Sequence, residues 1–329
     1  MKYLVTGGCG FIGSNFIIRC LEKYNDAKII NVDALKIGSN VLSLKGLKNS
    51  KYKFVKGNIC NKKLMSKLIP EVDYIINFAA ESHVDRSIDN PKPFIQTNIL
   101  GVNNILEILR DNHKIKFVQI STDEIFGEKL KGENKENDEP NPSNPYSATK
   151  AAAEMLVKAY TRTYDLDTII TRSVNNYGPR HFPEKLIPKT IISVLKNQSI
   201  PIHGEGKAKR QWIHVFDNCD AIMKIIANSK NNKVYHIAGN YEENNLTLVR
   251  KIVKMMGADT KLIKFVKDRP GQDRRYAITS SLSKKEFNFI PKISPNKGLE
   301  QTINWYLKNE KWWKRIPFKK IKNSNPWIK

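Results

Sequence analysis

The first half of the chain alternates short runs of apolar and β-branched residues with longer stretches of helical periodicity. Runs of the first kind predict buried strands, and repeats of three to four residues predict amphipathic helices. The predicted strands occupy residues 2–6, 28–32, 52–55, 74–78, 115–120 and 168–173. Because strands and helices alternate, we expect an α/β fold with a Rossmann-type, doubly wound parallel sheet. Beyond residue 178 the alternation weakens, which predicts a smaller mixed α/β domain.

A glycine-rich turn follows the first predicted strand. Gly7, Gly10 and Gly13 allow a tight turn, close approach of the backbone to a pyrophosphate, and close packing of the next helix. The second predicted strand ends in Asp33, whose carboxylate can accept both ribose hydroxyls and would repel a 2′-phosphate. The pattern predicts a dinucleotide site that prefers NAD to NADP.

Two adjacent carboxylates follow the strand at residues 115–120. Thr122 is succeeded by Asp123 and Glu124, at the strand end where open α/β sheets bind ligands. Neighbouring acids repel each other, so one can stay protonated while the other is ionised, and together they can supply an acid and a base at one pH. The ordinary alternative is that the pair begins a solvated loop.

Tyr146 and Lys150 lie four residues apart at the start of a helical pattern, so they share one helix face. A tyrosine titrates near pH ~10, and its use as a phenolate at neutral pH requires about 4 kcal/mol of stabilisation. A neighbouring ammonium and a positively charged nicotinamide would favour the phenolate. A surface pair with this spacing is common by chance, so the hypothesis depends on the glycine turn and the paired acids.

Other strand ends carry small or polar residues suited to a planar ligand. Asn58 and Ile59 follow the third predicted strand and could flank an adenine, while Ala79 and Ala80 follow the fourth. Asn98, in the helical pattern at residues 93–109, is interpreted as a structural polar contact.

The breaks in pattern predict how the chain divides. An NAD-binding Rossmann domain is expected at residues 1–174, with a later contribution from about 211–240. A substrate domain is expected from residues 175–210 and 241–313, followed by a basic tail at 314–329.

The chain is strongly basic, with 56 lysines and arginines against 32 acidic residues and a formal net charge of +24. The lysines are scattered and no nucleic-acid-binding signature accompanies them, so we expect no nucleic-acid partner. An anionic small substrate accounts for the charge equally well.

Membrane, metal and disulfide functions find no support in the sequence. No apolar run reaches the about eighteen residues of a membrane span, so no membrane association is expected. Cys9, Cys20, Cys60 and Cys219 lack metal-ligand spacing. We expect free thiols, no bound metal and a cytoplasmic location.

Taken together, five segments resemble the extended short-chain dehydrogenases/reductases, and among them the NAD-dependent epimerase/dehydratase family. The resemblance covers nearly the whole chain, from Thr6 to Trp313. The segments are residues 77–87, 121–124, 175–179, 182–188 and 268–277. The adjacent acids favour the nucleotide-sugar 4,6-dehydratases, because related epimerases usually lack them.

The resemblance implies an internal redox dehydration with bound NAD. Thr122 and Tyr146 would sit at the sugar 4-hydroxyl, and Lys150 would bind the nicotinamide ribose. Glu124 would remove the proton on carbon 5, and protonated Asp123 would donate to the departing 6-hydroxyl.

The resemblance also implies the binding residues. Those expected to contact NAD are Gly7, Gly10, Phe11, Ile12, Gly13, Asp33, Asn58, Ile59, Ala79, Ala80, Tyr146 and Lys150. Those expected to contact the nucleotide sugar are Ser82, Thr122, Asn175, Lys185, Leu186, Pro201, His203, Arg210, Asn245 and Arg269. Lysine and arginine suit a diphosphate because their charge-assisted hydrogen bonds are strong.

Several functions remain open at this point. Thymidine-diphosphate glucose is the expected substrate, and the alternatives are uridine-diphosphate glucose with the same chemistry or a nucleotide-sugar 4-epimerase. His203 and Gln272 stand where the family usually has tyrosine and histidine, which leaves the base open. A non-catalytic NAD-binding or polyanion-binding protein is the alternative of another class. The resemblance also implies a homodimer formed through the helices near residues 93–109 and 151–164.

Overall fold

The computed structural model describes residues 1–47, 50–229 and 232–316, so most of the predicted tail at 314–329 lies outside the described residues. The strands are β1 (Lys2–Thr6), β2 (Lys28–Asp33), β3 (Tyr52–Lys56), β4 (Tyr74–Asn77), β5 (Lys116–Thr122), β6 (Thr168–Ser173), β7 (Asn175–Tyr177), β8 (Ile200–His203), β9 (Lys209–His214), β10 (Lys233–Ile237), β11 (Tyr241–Asn244) and β12 (Ile263–Val266). The helices are α1 (Phe11–Lys23), α2 (Lys62–Leu68), α3 (Val84–Asp89), α4 (Lys92–Phe94), α5 (Gly101–Leu109), α6 (Pro145–Tyr164), α7 (Leu186–Leu195), α8 (Val215–Asn228), α9 (Asn245–Met255), α10 (Ser281–Phe287), α11 (Pro295–Lys308) and α12 (Glu310–Lys314).

Seven of the described strands form one sheet in the order β3-β2-β1-β4-β5-β6-β10. Every neighbouring pair is parallel. The order in which successive strands are added to the sheet reverses between β1 and β4. Open α/β sheets bind ligands at such a reversal, outside the carboxyl ends of their strands. The predicted doubly wound parallel sheet is confirmed.

The sheet is buried on both faces, which explains its nearly continuous apolar strands. On one face, Phe16 of α1 and Ile222 of α8 join a core with side chains from the strands. On the other face, Ile105 of α5 and Val157 of α6 pack in a second core. The two layers hold α1 and α6 in fixed positions against the strand ends.

The helical pattern predicted around residues 93–109 is not one regular helix. It runs from α4 through a π-helical segment at Ile95–Leu100 into α5. Asn98 lies in the π segment, is buried, and exchanges hydrogen bonds with the backbone of Glu81. Its amide also donates to Thr149 Oγ1 at 2.9 Å, so the interpretation of Asn98 as a structural contact agrees with its position.

A second, smaller group of strands and helices covers the carboxyl ends of the main-sheet strands, and we call it the smaller body. Strands β11, β9 and β7 form a three-stranded sheet and β12 pairs with β8, all within the described residues. Helices α7, α9, α11 and α12 surround a core that includes Ile191, Trp212, Ile252, Tyr306 and Trp313.

Three further features of the described residues concern cysteines, membranes and metal ions. All four cysteines are free thiols, and only Cys60 is exposed. Among the described helices, none has the length and apolar character to cross a lipid bilayer. No described group of three or more His, Cys, Asp or Glu side chains is arranged to hold a metal ion.

Candidate active site

A cavity of about 420 Å³ lies between the carboxyl ends of the main strands and the smaller body. Its walls contain every residue that the sequence suggested for cofactor, substrate or catalysis. On the side of the main sheet these are Gly7, Gly10, Phe11, Ile12, Gly13, Asp33, Asn58, Ile59, Ala79, Ala80, Ser82, Thr122, Asp123, Glu124, Tyr146 and Lys150. On the side of the smaller body they are Asn175, Lys185, Leu186, Pro201, His203, Arg210, Asn245 and Arg269.

The glycine turn between β1 and α1 leaves no room for side chains. Gly7 has a φ of 67°, and a Cβ there would lie 2.6 Å from Ala79 N. A Cβ on Gly13 would lie 2.6 Å from the Gly7 carbonyl oxygen. Helix α1 begins after Gly10 with no side-chain cap, so its first N–H groups and dipole face the cavity. This cradle fits the pyrophosphate of a dinucleotide.

Asp33 is held rigidly at the end of β2. Its carboxylate accepts hydrogen bonds from Cys9 N at 2.9 Å, Leu35 N at 2.8 Å and Ser39 Oγ at 2.8 Å. The side chain is buried and lines the cavity. Oδ1 accepts two of these bonds and Oδ2 accepts one, so Oδ2 retains a lone pair that fits a ribose hydroxyl of NAD.

The paired acids follow β5 in a short 3-10 turn, Asp123–Phe126. Thr122 Oγ1 donates to Asp123 Oδ1 at 3.2 Å and accepts from Glu124 N at 3.3 Å. Asp123 Oδ2 and Glu124 Oε2 are buried and have no hydrogen-bond partner among the described residues. The alternative of a solvated loop is therefore wrong, because Asp123 is only 2 % exposed.

The environments of the two acids favour different protonation states. Burial, and then the charge of Glu124, raise the pKa of Asp123 to about 8, against an opposing effect of Arg210. Burial also raises the pKa of Glu124, but Lys185, Arg269 and Arg210 all act to lower it. Asp123 therefore keeps its proton at neutral pH, while three cations favour the ionised form of Glu124.

Tyr146 and Lys150 project from the first turns of α6. The helix begins with a capping box in which Asn144 and Ser147 exchange hydrogen bonds, followed by Pro145 at its first position. Tyr146 is buried, and its N–H donates to Ser87 Oγ at 3.1 Å. Lys150 Nζ donates to the Ile120 carbonyl oxygen of β5 at 2.5 Å. The helix start thus places the pair beside the paired acids.

The protein's own groups do not promote the phenolate. Burial raises the pKa of Tyr146, and the charges of Glu124 and Asp123 raise it further, against a hydrogen bond with Thr122. Burial lowers the pKa of Lys150 to about 8, and Glu154 acts to raise it. Lys150 is not among the groups that shift the pKa of Tyr146 in the protein alone, so the expected effect of its ammonium together with the nicotinamide stays a prediction.

Cations from the smaller body line the cavity, among them Lys185, Arg210 and Arg269. Lys185 Nζ donates to the Ser82 carbonyl oxygen at 2.8 Å. Arg210 donates to the Asp273 carbonyl oxygen at 2.9 Å, and its guanidinium lies 4.2 Å from the centre of the Tyr276 ring. The arrangement suits an anionic ligand that bridges the smaller body and the paired acids.

Sequence reasoning missed several residues in the cavity wall. Asp85 pairs with Arg269 at 3.1 Å, and Glu184 pairs with Arg86 at 3.1 Å. Tyr276 also lines the cavity. Asp85, Glu184 and Tyr276 all fall inside segments that carried the family resemblance, which was the available signal. The sequence pattern alone does not show which of these side chains face the cavity.

The parallel sheet, the glycine cradle, and the Tyr/Lys pair beside two acids together define an extended short-chain dehydrogenase/reductase. The family described as GDP-mannose 4,6 dehydratase matches residues 4–302, and the chain belongs to this family.

Named relatives narrow the comparison. The chain is 40% identical over 321 residues to a dTDP-glucose 4,6-dehydratase of Streptomyces niveus, covering 96% of both chains. It is 43% identical over 308 residues to the low-salt glycan biosynthesis protein Agl12 of Haloferax volcanii, covering 93% of this chain and 99% of the relative. The crystal structure of DesIV, a dTDP-glucose 4,6-dehydratase from Streptomyces venezuelae with NAD and TYD bound, superposes with a TM-score of 0.93 at 37% identity, covering 95% and 99% of the two chains.

Proposed function

We propose that this chain is an NAD-dependent dTDP-glucose 4,6-dehydratase, which converts dTDP-glucose to dTDP-4-keto-6-deoxyglucose and water. The observation that carries the proposal is the adjacent pair of buried Asp123 and half-buried Glu124 in the same cavity as Tyr146 and Lys150. Relatives of this name at about 40% identity over most of the chain support it.

NAD fits the main-sheet side of the cavity. The glycine turn would hold the pyrophosphate, Asp33 the adenosine ribose, and Lys150 the nicotinamide ribose. Asn58 and Ile59 would flank the adenine, and Ala79 and Ala80 would lie against the dinucleotide. Bound NAD would supply the acceptor for a hydride from carbon 4 of the glucose and the donor of that hydride to carbon 6. We also propose an NAD-binding domain of residues 1–174 with a later contribution from about 211–240, because α8 packs on the main sheet and β10 pairs with β6 in it.

Tyr146 takes the proton of the sugar 4-hydroxyl, and Thr122 binds the same oxygen. Because burial raises the pKa of Tyr146, this transfer needs positive charge close to the phenol. Lys150, on the same helix face, supplies one such charge while its ammonium is held by the Ile120 carbonyl.

The paired acids remove water from the sugar. Once carbon 4 is a ketone, the proton on carbon 5 is acidic, and Glu124 takes it. Asp123 gives its proton to the 6-hydroxyl, which leaves as water. General acid–base steps of this kind contribute about 10²–10⁴-fold each.

The smaller body holds the nucleotide. Charge-assisted hydrogen bonds from Lys185 and Arg210, with Asn175 and Asn245 beside them, would bind the diphosphate. The other proposed substrate contacts are Ser82, Leu186, Pro201, His203 and Arg269. Pro201 and His203 would lie near the base, and Arg269 near the nucleotide.

The deciding experiment incubates purified protein with dTDP-glucose and, separately, with UDP-glucose. We expect dTDP-glucose to lose one water by mass spectrometry and to give the alkaline absorbance of a keto sugar, with Tyr146→Phe as the inactive control. Faster water loss from UDP-glucose would move the assignment to the uridine nucleotide. Epimerisation without water loss would replace it with a 4-epimerase, and unchanged sugar nucleotides would overturn it.

The same proposal includes a homodimer and a cytoplasmic location. Ile95, Leu100 and Met155 are 45%, 55% and 43% exposed, on the helices expected at a dimer contact. An apolar group of this kind on exposed helices is typical of an interaction surface. Sedimentation of wild type and Leu100→Asp tests it, because the variant should be monomeric. The free thiols fit a reducing compartment.

A further inference from the structure

Three buried polar side chains cross the middle of the main sheet. Thr6 ends β1, Asn77 ends β4 and Gln119 lies in β5, and each is at most 1% exposed. Thr6 Oγ1 donates to Asn77 Oδ1 at 2.5 Å, and Asn77 Nδ2 donates to Gln119 Oε1 at 2.8 Å. We call Thr6, Asn77 and Gln119 the amide ladder. Strands buried on both faces are mostly apolar, so a chain of three hydrogen-bonded polar side chains across adjacent strands calls for a specific role.

The two ends of the amide ladder touch the two halves of the site. At one end, Thr6 Oγ1 accepts from Ala79 N at 3.4 Å, beside the glycine cradle. At the other end, Gln119 Nε2 donates to the Ile120 carbonyl oxygen at 3.2 Å. The same carbonyl oxygen accepts the hydrogen bond from Lys150 Nζ at 2.5 Å. The ladder therefore joins the cradle to the lysine.

The amide ladder has only one satisfied orientation. If the Gln119 amide were turned over, its oxygen would face the Ile120 carbonyl oxygen and its NH₂ would face the NH₂ of Asn77. The direction is set by the Ile120 carbonyl oxygen, which can only accept, whereas the Thr6 hydroxyl can donate or accept. Each member thus fixes the next, and the Ile120 carbonyl receives a defined donor.

We propose that Gln119, anchored by Asn77, is a positioning residue that orients the Ile120 carbonyl and through it the ammonium of Lys150. This inference rests on the proposed function, in which Lys150 must stay charged beside Tyr146. Neither Gln119 nor Asn77 lines the cavity, so each acts through its neighbours.

The physical consequence is a change in the acidity of Lys150. Burial already lowers its pKa to about 8, so the ammonium depends on a well-placed acceptor. Gln119 and Lys150 donate to the same oxygen, so a carbonyl released from Gln119 changes its position and also accepts more strongly from the ammonium, which misplaces the lysine and lets it keep its proton to higher pH.

The test compares Gln119→Met with a matched control, Thr171→Val. Thr171 lies opposite Ile120 on β6, is fully buried, and has no partner for its hydroxyl among the described residues. We expect Gln119→Met to lower kcat by about tenfold or more, with KM for the sugar nucleotide changed less than about threefold. Its alkaline activity limb should move to higher pH, because the Ile120 carbonyl then accepts from Lys150 alone, and Thr171→Val should leave kcat, KM and this limb unchanged.

A second readout does not require turnover. The pH dependence of acetic anhydride labelling of Lys150, followed by peptide mass spectrometry in the NAD-loaded protein, gives its titration midpoint. We expect this midpoint to rise in Gln119→Met even if the sugar substrate has been assigned wrongly, so failure of this inference and failure of the proposed function are distinguishable. An unchanged midpoint and pH limb, with activity lost only in proportion to the folded fraction, would overturn the proposal.

Gln119→Glu keeps the test decisive if the methionine variant does not fold. A protonated glutamic acid both donates and accepts, as the amide does, whereas the carboxylate cannot donate to the Ile120 carbonyl. We expect the activity of Gln119→Glu relative to wild type to rise as the pH is lowered. A pH-independent ratio would count against the proposal.

Discussion

Glu154 of α6 and Arg172 of β6 form an ion pair in which neither side chain has any exposed surface. Arg172 Nη2 lies 2.7 Å from Glu154 Oε2, and Nε lies 3.1 Å from both carboxylate oxygens. The guanidinium also contacts His236 and lies 4.8 Å from the centre of the Phe126 ring. Phe126 ends the turn that carries Asp123 and Glu124. The Glu154–Arg172 ion pair therefore supports the backbone of that turn.

We expect Glu154→Gln to destabilise the protein by about 3–5 kcal/mol, because it leaves the Arg172 charge buried without a counter-ion. The free energy of unfolding in a denaturant titration measures this. The control is Asp220→Asn, whose partner Arg19 is 28% exposed and whose own side chain is 37% exposed. That variant should cost no more than about 1 kcal/mol. Equal losses in the two variants would contradict the prediction.

Asp123→Asn should uncouple ketone formation from water loss. The amide cannot protonate the 6-hydroxyl, so we expect dehydration to slow by about 10²–10⁴-fold while the 4-ketone still forms. In wild type, dehydration should slow as the pH rises through about 8, where Asp123 loses its proton, and the variant should lack this limb. Mass spectrometry separates ketone from dehydrated product. An unchanged dehydration rate would remove Asp123 from the mechanism, and exposed Glu139→Gln is the control.

The same substitution should stabilise the folded protein. The pKa of Asp123 rises from 3.8 to about 8 in the folded state, so that state retains a proton which the unfolded chain releases. Stability from this group is therefore present at low pH and lost as the pH rises between those values. We expect Asp123→Asn to melt about 2 °C or more above wild type at neutral pH. The difference should shrink as the pH approaches 4, which thermal unfolding at several pH values checks.

Local features of the fold followed from the sequence because their causes are local. The strand at Thr168–Ser173 has six buried residues in a row, and its predicted bounds agree with the structure. The glycine turn was equally visible, since Gly7 has a positive φ and Gly13 packs against the Gly7 carbonyl within the turn.

Contacts between residues far apart in the sequence could not be predicted in the same way. Asp85 and Arg269 lie 184 positions apart, and no periodicity connects them. The acceptor for Lys150 is a backbone carbonyl, which no residue type reveals. The raised pKa of Tyr146 was missed because it depends on burial, which appears only once the smaller body covers the sheet edge.

Tyr146→Phe should abolish turnover at its first step. Without the hydroxyl nothing takes the 4-hydroxyl proton, so we expect neither ketone nor dehydrated product, with a loss of at least about 10²-fold. Tyr160→Phe on the same helix is the matched control, because its hydroxyl bonds to Asn103 and Glu107 and does not line the cavity. Both variants should keep bound NAD, measured by release in acid. Ketone formation at the wild-type rate in Tyr146→Phe would show that another group is the base.

Asp33→Ser should weaken the preference for NAD over NADP. The substitution removes the negative charge that would repel a 2′-phosphate, while Lys36 remains in the same cavity wall as a cation. It also removes acceptors for Cys9 N and Leu35 N, so NAD itself should bind about tenfold more weakly. Fluorescence titration with each dinucleotide gives the ratio of dissociation constants.

Asp73→Ser is the control, since Asp73 also accepts a backbone N–H, from Lys2 at 2.8 Å, but lies at the amino end of the sheet. A preference unchanged in Asp33→Ser would mean that the Asp33 carboxylate does not face the ribose.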